Sequence, residues 1–85
     1  MNSVELVKET ISSLKEMESD SNIPKNIKIK LQGIIRILED KNAELSINVN
    51  KALSGLDEMS DDSNLEPDIR TQIWNLVSTL EKISR

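Results

Sequence analysis

The fold is decided by a stretch that the chain contains twice, first as Met17-Glu18-Ser19-Asp20-Ser21-Asn22-Ile23-Pro24-Lys25-Asn26-Ile27-Lys28 and again, 42 residues later, as Met59-Ser60-Asp61-Asp62-Ser63-Asn64-Leu65-Glu66-Pro67-Asp68-Ile69-Arg70. In both copies Ser, Asp and Asn compete for backbone hydrogen bonds and interrupt a helix, and the proline suits the first turn of the next one. Aligning residues 6–40 with 48–82 gives eleven identities in 35 pairs, and most remaining apolar positions pair with apolar ones. The sequence therefore predicts one helical hairpin written twice.

Apolar residues recur every three or four positions on both sides of each turn, which predicts four amphipathic helices, over about 2–18, 24–40, 47–60 and 67–84. Their predicted inward faces are Val4, Val7, Ile11 and Leu14; Ile27, Leu31, Ile34, Ile35 and Leu38; Val49, Ala52, Leu53, Leu56 and Met59; and Ile69, Ile73, Leu76, Val77, Leu80 and Ile83. Asn2 and Glu5 have the spacing of a capping box, and Ser46 is predicted to cap the third helix. Because a glycine inside a helix costs about 1 kcal/mol, Gly33 predicts the close approach of another helix.

These elements predict an all-α protein with one domain over residues 1–85, made of hairpins at about 3–42 and 43–85. Short turns favour antiparallel neighbours, so we expect a four-helix up-and-down bundle with a pseudo-twofold axis between the hairpins. The alternative is a HEAT-like stack of the two hairpins, although two repeats are few for a solenoid.

The amino-acid composition excludes several kinds of catalytic and metal-binding site. The chain has no His, Cys or Tyr, so it lacks an imidazole base, a thiol nucleophile and a soft metal site. We therefore expect no enzyme activity, no catalytic residues, no cofactor, no metal and no small-molecule substrate. The absence of cysteine fits a reducing compartment. With Glu5 near the start and no long apolar run, neither a signal peptide nor a membrane span is predicted, and we expect a cytoplasmic protein.

Acidic residues are expected to gather at one end of the bundle, namely Glu16, Glu18, Asp20, Asp57, Glu58, Asp61, Asp62, Glu66 and Asp68. The segment from Asp62 to Glu66 resembles the start of a calcium loop. It departs from that loop at Pro67, where glycine is required, and at Ile73, where glutamate is required. We interpret these acids as residues that cap and solvate helix starts, because acidic groups in the first turn are favoured by the helix dipole.

The outer face of the second helix is the first candidate interaction surface, comprising Lys25, Lys28, Ile29, Gln32 and Arg36. It is either an ordinary solvated face or a docking surface for an acidic partner. Another copy of the chain could supply that partner, because residues 43–85 hold eight acidic and four basic side chains whereas residues 1–42 hold seven of each.

Trp74 is the single aromatic residue and lies at the edge of the predicted core line of the fourth helix. It either completes the core over the third helix or is half exposed and anchors an interface. Ile29 and Ile37 lie off the core line of the second helix and add apolar area that a monomer does not need. Together with Trp74 they are consistent with a homodimer and extend the candidate surface.

Three stretches carry a resemblance to a known family: the turn from Asp20 to Lys28, the Leu45-Ser46 start of the third helix, and Ile69-Arg70-Thr71-Gln72-Ile73-Trp74-Asn75. In these the sequence resembles the small archaeal proteins of uncharacterised protein family 0147. The resemblance covers nearly the whole chain. It implies an all-helical bundle of archaeal, cytosolic origin, and it implies no function.

The sequence is consistent with two functions. The first is a non-catalytic protein–protein interaction module that self-associates. The alternative is an RNA- or ribonucleoprotein-associated accessory protein that contacts phosphate through the basic face of the second helix, with Lys25, Lys28, Lys30 and Arg36. An enzyme that uses a carboxylate pair is disfavoured by the missing His, Cys and Tyr, and no membrane partner is expected.

Overall fold

The computed structural model describes residues 2–84, which form four helices and no strand: α1 (Ser3–Ser19), α2 (Lys25–Glu39), α3 (Leu45–Ser60) and α4 (Pro67–Ser84). Each helix packs against its neighbours along the chain, and α1 also packs against α4. Over the same residues no Cα of α1 comes within 8 Å of α3, nor any of α2 within 8 Å of α4. Such a ring of neighbours is consistent with an up-and-down bundle, whereas stacked hairpins would bring α1 against α3.

Three Asp-x-Asn turns join the helices. The Asp20 carboxylate accepts a hydrogen bond from the backbone N–H of Asn22 (2.9 Å), and Asp62 accepts one from Asn64 (2.9 Å). The predicted turns at 20–23 and 61–66 are therefore confirmed. Asp40 makes the same bond with the N–H of Asn42 (2.8 Å) in the α2–α3 connection. In all three, a carboxylate replaces the backbone acceptor that the helix no longer supplies.

The start of α1 agrees with the prediction from the sequence, and the start of α3 does not. The Asn2 side chain accepts the Glu5 N–H at 2.9 Å, as the predicted cap requires. The prediction that Ser46 caps the third helix is wrong. The helix begins at Leu45, and the Glu44 carbonyl accepts the first helical N–H groups. Leu45 packs against the core. The helix therefore starts two residues before the predicted Ile47.

The core is aliphatic and follows the predicted faces. Its largest fully buried side chains are Leu14, Ile27, Leu31, Val49, Leu56, Met59, Ile73 and Leu80, together with the polar Thr10. The Thr10 hydroxyl donates to the Leu6 carbonyl at 2.8 Å, which satisfies its polar group within α1. The prediction that Val4 lies in the core is wrong, because its side chain is 56 % exposed at the rim of an open groove between α1 and the α2–α3 connection.

The close helix contact predicted at Gly33 lies elsewhere. A Cβ at Gly33 would meet nothing within 4 Å beyond the surrounding turns of α2, so none of the other helices that the structure describes approaches it. At Gly55 of α3, by contrast, a Cβ would lie 3.1 Å from Cγ1 of Ile34. The approach that needs a glycine is therefore between α2 and α3, and Gly55 provides it.

Candidate functional site

Two contacts identify the flanks of α2. Gln32 Nε2 donates to Glu18 Oε1 at 3.1 Å, so the Gln32 flank faces α1. Ile34 packs against Gly55, so the Ile34 flank faces α3. The strip of α2 between these flanks, on the side away from the core, faces solvent.

The structure places most of the predicted basic face together. Lys28, Gln32 and Arg36 follow one another at intervals of four residues and therefore lie on the flank that faces α1. Lys25 lies one turn before Lys28 on that flank, and Ile29 lies between this flank and the solvent-facing strip. Lys25 and Arg36 are exposed and Lys28 is half-buried. These residues form one surface, although Gln32 is already engaged with Glu18.

Ile37 and Lys30 fall on the other side. Lys30 precedes Ile34 by four residues and Ile37 follows it by three, so both lie on the flank toward α3. Ile37 is half-buried there and Lys30 is exposed. The predicted set of cations is consequently split between two flanks.

Gly33 lies at the centre of the solvent-facing strip of α2. Ile29 precedes it by four residues and Ile37 follows it by four, so the line through the three residues crosses the strip from the edge of the α1 flank to the α3 flank. Ile29 is 58 % exposed, and among the described residues none outside the surrounding turns of α2 comes within 4 Å of a Cβ placed on Gly33. We call the surface of Ile29, Gly33 and Ile37 the Gly33 notch.

Trp74 lies on a different face of the bundle. The residue is 55 % exposed and is not part of the core, which contradicts the interpretation that it completes the core over the third helix. Arg70, one turn earlier, donates from Nε to the Ser60 carbonyl (3.2 Å) and from Nη2 to the Asp62 carbonyl (2.9 Å), so this flank of α4 faces α3. Since α2 and α4 are diagonal in the bundle, Trp74 and the Gly33 notch do not share a surface.

Two of the predicted acids, Asp20 and Asp62, bond to the backbone. Each holds the turn that follows a helix, rather than capping the start of the next helix as predicted, and the N-cap of α2, Pro24, has no side-chain cap. Within residues 2–84, no group of three or more Asp, Glu, His or Cys side chains is arranged to hold a metal ion.

Sequence reasoning missed two open grooves. One, of about 400 Å³, lies between α1 and α4 and is lined by Ser13, Glu16, Met17, Asp20, Gln72, Asn75 and Leu76. The other, of about 620 Å³, lies at the opposite end between α1 and the α2–α3 connection, and Val4, Ile11, Leu38 and Leu45 are among its lining residues. Its wall includes Asn48, which is buried and donates from Nδ2 to the Asp40 carbonyl at 2.8 Å. The signal for Asn48 was available, because it precedes Ala52 by four residues and so shares its inward face.

In the described part of the chain, none of the helices combines the length and the apolar composition needed to cross a lipid bilayer. Residues 1–83 match the sequence profile of the uncharacterised protein family UPF0147. The chain belongs to this family. A UPF0147 protein from Thermoplasma acidophilum has a crystal structure that superposes with a TM-score of 0.90 at 32 % identity, over 94 % of each chain.

A second crystal structure, of the unknown function protein MMP1188, superposes with a TM-score of 0.92 at 32 % identity, over 99 % of this chain and 96 % of that one. A search of curated proteins gave no match. These comparisons assign the UPF0147 family and its fold, and the descriptions of both relatives state no activity.

Proposed function

We propose that this protein is a non-catalytic protein–protein interaction module, in which the Gly33 notch and the cations beside it bind an acidic surface of a partner protein. The observation that carries the proposal is the exposure of Ile29, at 58 %, next to the open space above Gly33. An exposed isoleucine alone is common on protein surfaces. Its position beside a glycine whose outer side is open, with Lys25 and Arg36 exposed on the adjoining flank, supports a binding role.

The glycine itself supports this function. Glycine in a helix interior costs about 1 kcal/mol relative to alanine. Gly55 offsets that cost by admitting Ile34, but within residues 2–84 no other helix approaches Gly33. A requirement for close approach from outside the chain accounts for a glycine at this position.

The charge pattern supports an acidic partner. Lys25 and Arg36 are exposed beside the notch, and within residues 2–84 the ion pair of the first hairpin, Lys15 with Glu39 at 3.2 Å, involves neither. Free cations around an apolar centre attract an acidic surface and set its orientation more than they add affinity. The absence of His, Cys and Tyr supports a non-catalytic role, and the absence of Cys supports a cytoplasmic one.

RNA is the weaker candidate. A phosphate backbone needs a series of cations along one track. Lys30 lies on the α3 flank and Lys28 is half-buried, so only Lys25 and Arg36 among the four cations are both exposed and on one flank. An apolar notch at the centre of the surface also favours protein over RNA.

We propose further that the two hairpins are copies of one ancestral hairpin related by a pseudo-twofold axis. The turns within the hairpins support this origin, because Asp20 and Asp62 occupy aligned positions and each also accepts, through its carbonyl, the N–H of the apolar residue three positions on, Ile23 (3.2 Å) and Leu65 (3.1 Å). The buried residues that follow them, Ile23 and Leu65, occupy equivalent positions.

The interaction proposal is tested by affinity capture from a native cell extract, with and without ribonuclease. Wild type, Ile29→Asp and Gly33→Gln are compared with the control Ile47→Ser, which changes an exposed isoleucine of α3. We expect a protein that wild type and the control retain, that both notch variants lose, and that high salt releases. If every captured protein tolerates the notch variants, or if capture disappears with ribonuclease, the proposal is wrong.

A further inference from the structure

We propose that the occupant of the Gly33 notch is a second copy of this chain, whose Trp74 ring lies over Gly33 of its neighbour. This inference rests on the proposed interaction function and names its partner. It connects two exposed features that lie on different faces of one molecule, Trp74 and the Gly33 notch. Within a single copy these two features do not contact each other.

The two surfaces are both apolar and exposed. Trp74 is the only aromatic residue of the chain and is 55 % exposed. A planar ring gains most when its face meets apolar atoms and excludes water, which is why tryptophan dominates many interfaces. The Gly33 notch offers one helix position without a side chain between Ile29 and Ile37, and no other helix of the described residues comes within 4 Å of its Cβ position.

The charges are complementary. Because α3 and α4 are antiparallel, the bond from Arg70 to the Ser60 carbonyl places Trp74 at the level of the exposed Asp57. Residues 43–85 carry eight acidic and four basic side chains, so the half that presents Trp74 is acidic. The notch lies beside Lys25 and Arg36. Placing Trp74 on the notch therefore brings opposite charges together.

Pairing α2 with α2 of a second copy is disfavoured, because it opposes the cations of α2 with themselves. The alternative pairing of notch with Trp74 has a geometric consequence. The two surfaces lie on diagonal helices that do not contact each other, so one neighbour cannot use both. The contact is head-to-tail, and association continues beyond the dimer unless it closes into a ring.

Trp74 emission tests the contact directly, since no other aromatic residue contributes. We expect the emission maximum to shift to the blue with rising concentration in low salt, and sedimentation to report species larger than two copies. Trp74→Ala and Gly33→Gln should each weaken association more than about 10-fold. Both positions are exposed, so the fold of the variants, checked by circular dichroism, is expected to be retained.

A mixture of the two variants gives the decisive test of the proposed contact. Gly33→Gln retains Trp74 but has a filled notch, whereas Trp74→Ala retains the notch. An equimolar mixture should form a 1:1 pair that grows no further, while each variant alone stays monomeric. If Trp74→Ala associates as wild type does, the partner surface is another one and the proposal is wrong.

A wild-type chain that remains a 9.6 kDa monomer with unshifted emission at the highest concentration also overturns the second-copy proposal. That result does not decide the interaction function, which the capture experiment tests. A different protein that binds through the notch would still support the interaction function. The two proposals therefore fail separately.

Discussion

Ile34 of α2 packs so close to Gly55 of α3 that a Cβ on the glycine would lie 3.1 Å from Ile34 Cγ1 and 3.2 Å from Cδ1. Ile34 is 4 % exposed and β-branched, so it has little freedom to move away. The contact between α2 and α3 therefore depends on the absence of a side chain at Gly55. Of the two glycines, Gly55 is the one at which another helix comes into close contact.

Gly55→Ala should destabilise the protein. The gain in helix propensity is about 1 kcal/mol, and the forced displacement of a core isoleucine costs about 1–3 kcal/mol. We expect a net loss of about 1 kcal/mol in the free energy of unfolding, measured by urea denaturation. In the Ile34→Ala background the clash is gone, so Gly55→Ala should stabilise that variant. Equal effects in both backgrounds would show that Ile34 does not restrict the site.

Gly33→Ala should have the opposite sign. A Cβ there meets nothing within 4 Å, so the substitution adds helix propensity without a clash. We expect a gain of about 1 kcal/mol and a rise of several degrees in Tm, followed by circular dichroism at a concentration where the chain is monomeric. A loss of stability would mean that the space above Gly33 is filled in solution.

Asn48→Ala should cost about 1–3 kcal/mol, because it removes the donor that satisfies the Asp40 carbonyl at the end of α2 and leaves a gap at a buried position. Asn50→Ala is the matched control, since Asn50 is exposed on the same helix. It should change stability by less than about 0.5 kcal/mol. Equal effects of the two substitutions in urea denaturation would contradict a structural role for the Asn48 amide.

Arg70→Ala should loosen the end of α3. The guanidinium donates to two carbonyl groups there, and hydrogen bonds from charged donors are worth about 1.5–3 kcal/mol each when well shielded. Because Arg70 is half-buried, we expect a total loss of about 1–2 kcal/mol. Arg70→Lys should recover less than half of it, since an ammonium group lacks the planar fork. Hydrogen exchange at the last turn of α3 measures the effect locally, and full recovery by lysine would show that charge alone matters.

Local chemistry explains what could be predicted of the fold. Asp20 and Asp62 form their turns through bonds within two residues, and Leu31 or Leu56 belongs to a core line that apolar spacing alone defines. The candidate surface was predicted in part for the same reason, because Lys28, Gln32 and Arg36 share a flank on any straight helix. Long-range contacts explain the errors at Val4, Gly33 and Ser46, since each depends on a neighbour that helical periodicity does not identify.

By itself, the sequence determined that this chain forms four helices, where the two turns within the hairpins fall and most of the aliphatic residues of the core. Those properties depend on side-chain periodicity and on hydrogen bonds between near neighbours. Only the tertiary structure decided that Gly55 rather than Gly33 admits a neighbouring helix, that Ile37 and Lys30 lie apart from the basic flank, and that Trp74 is exposed on a face separate from the Gly33 notch. The physical reason is that the exposure of a side chain depends on which helix packs beside it, and in a closed ring of four helices each flank has a different neighbour.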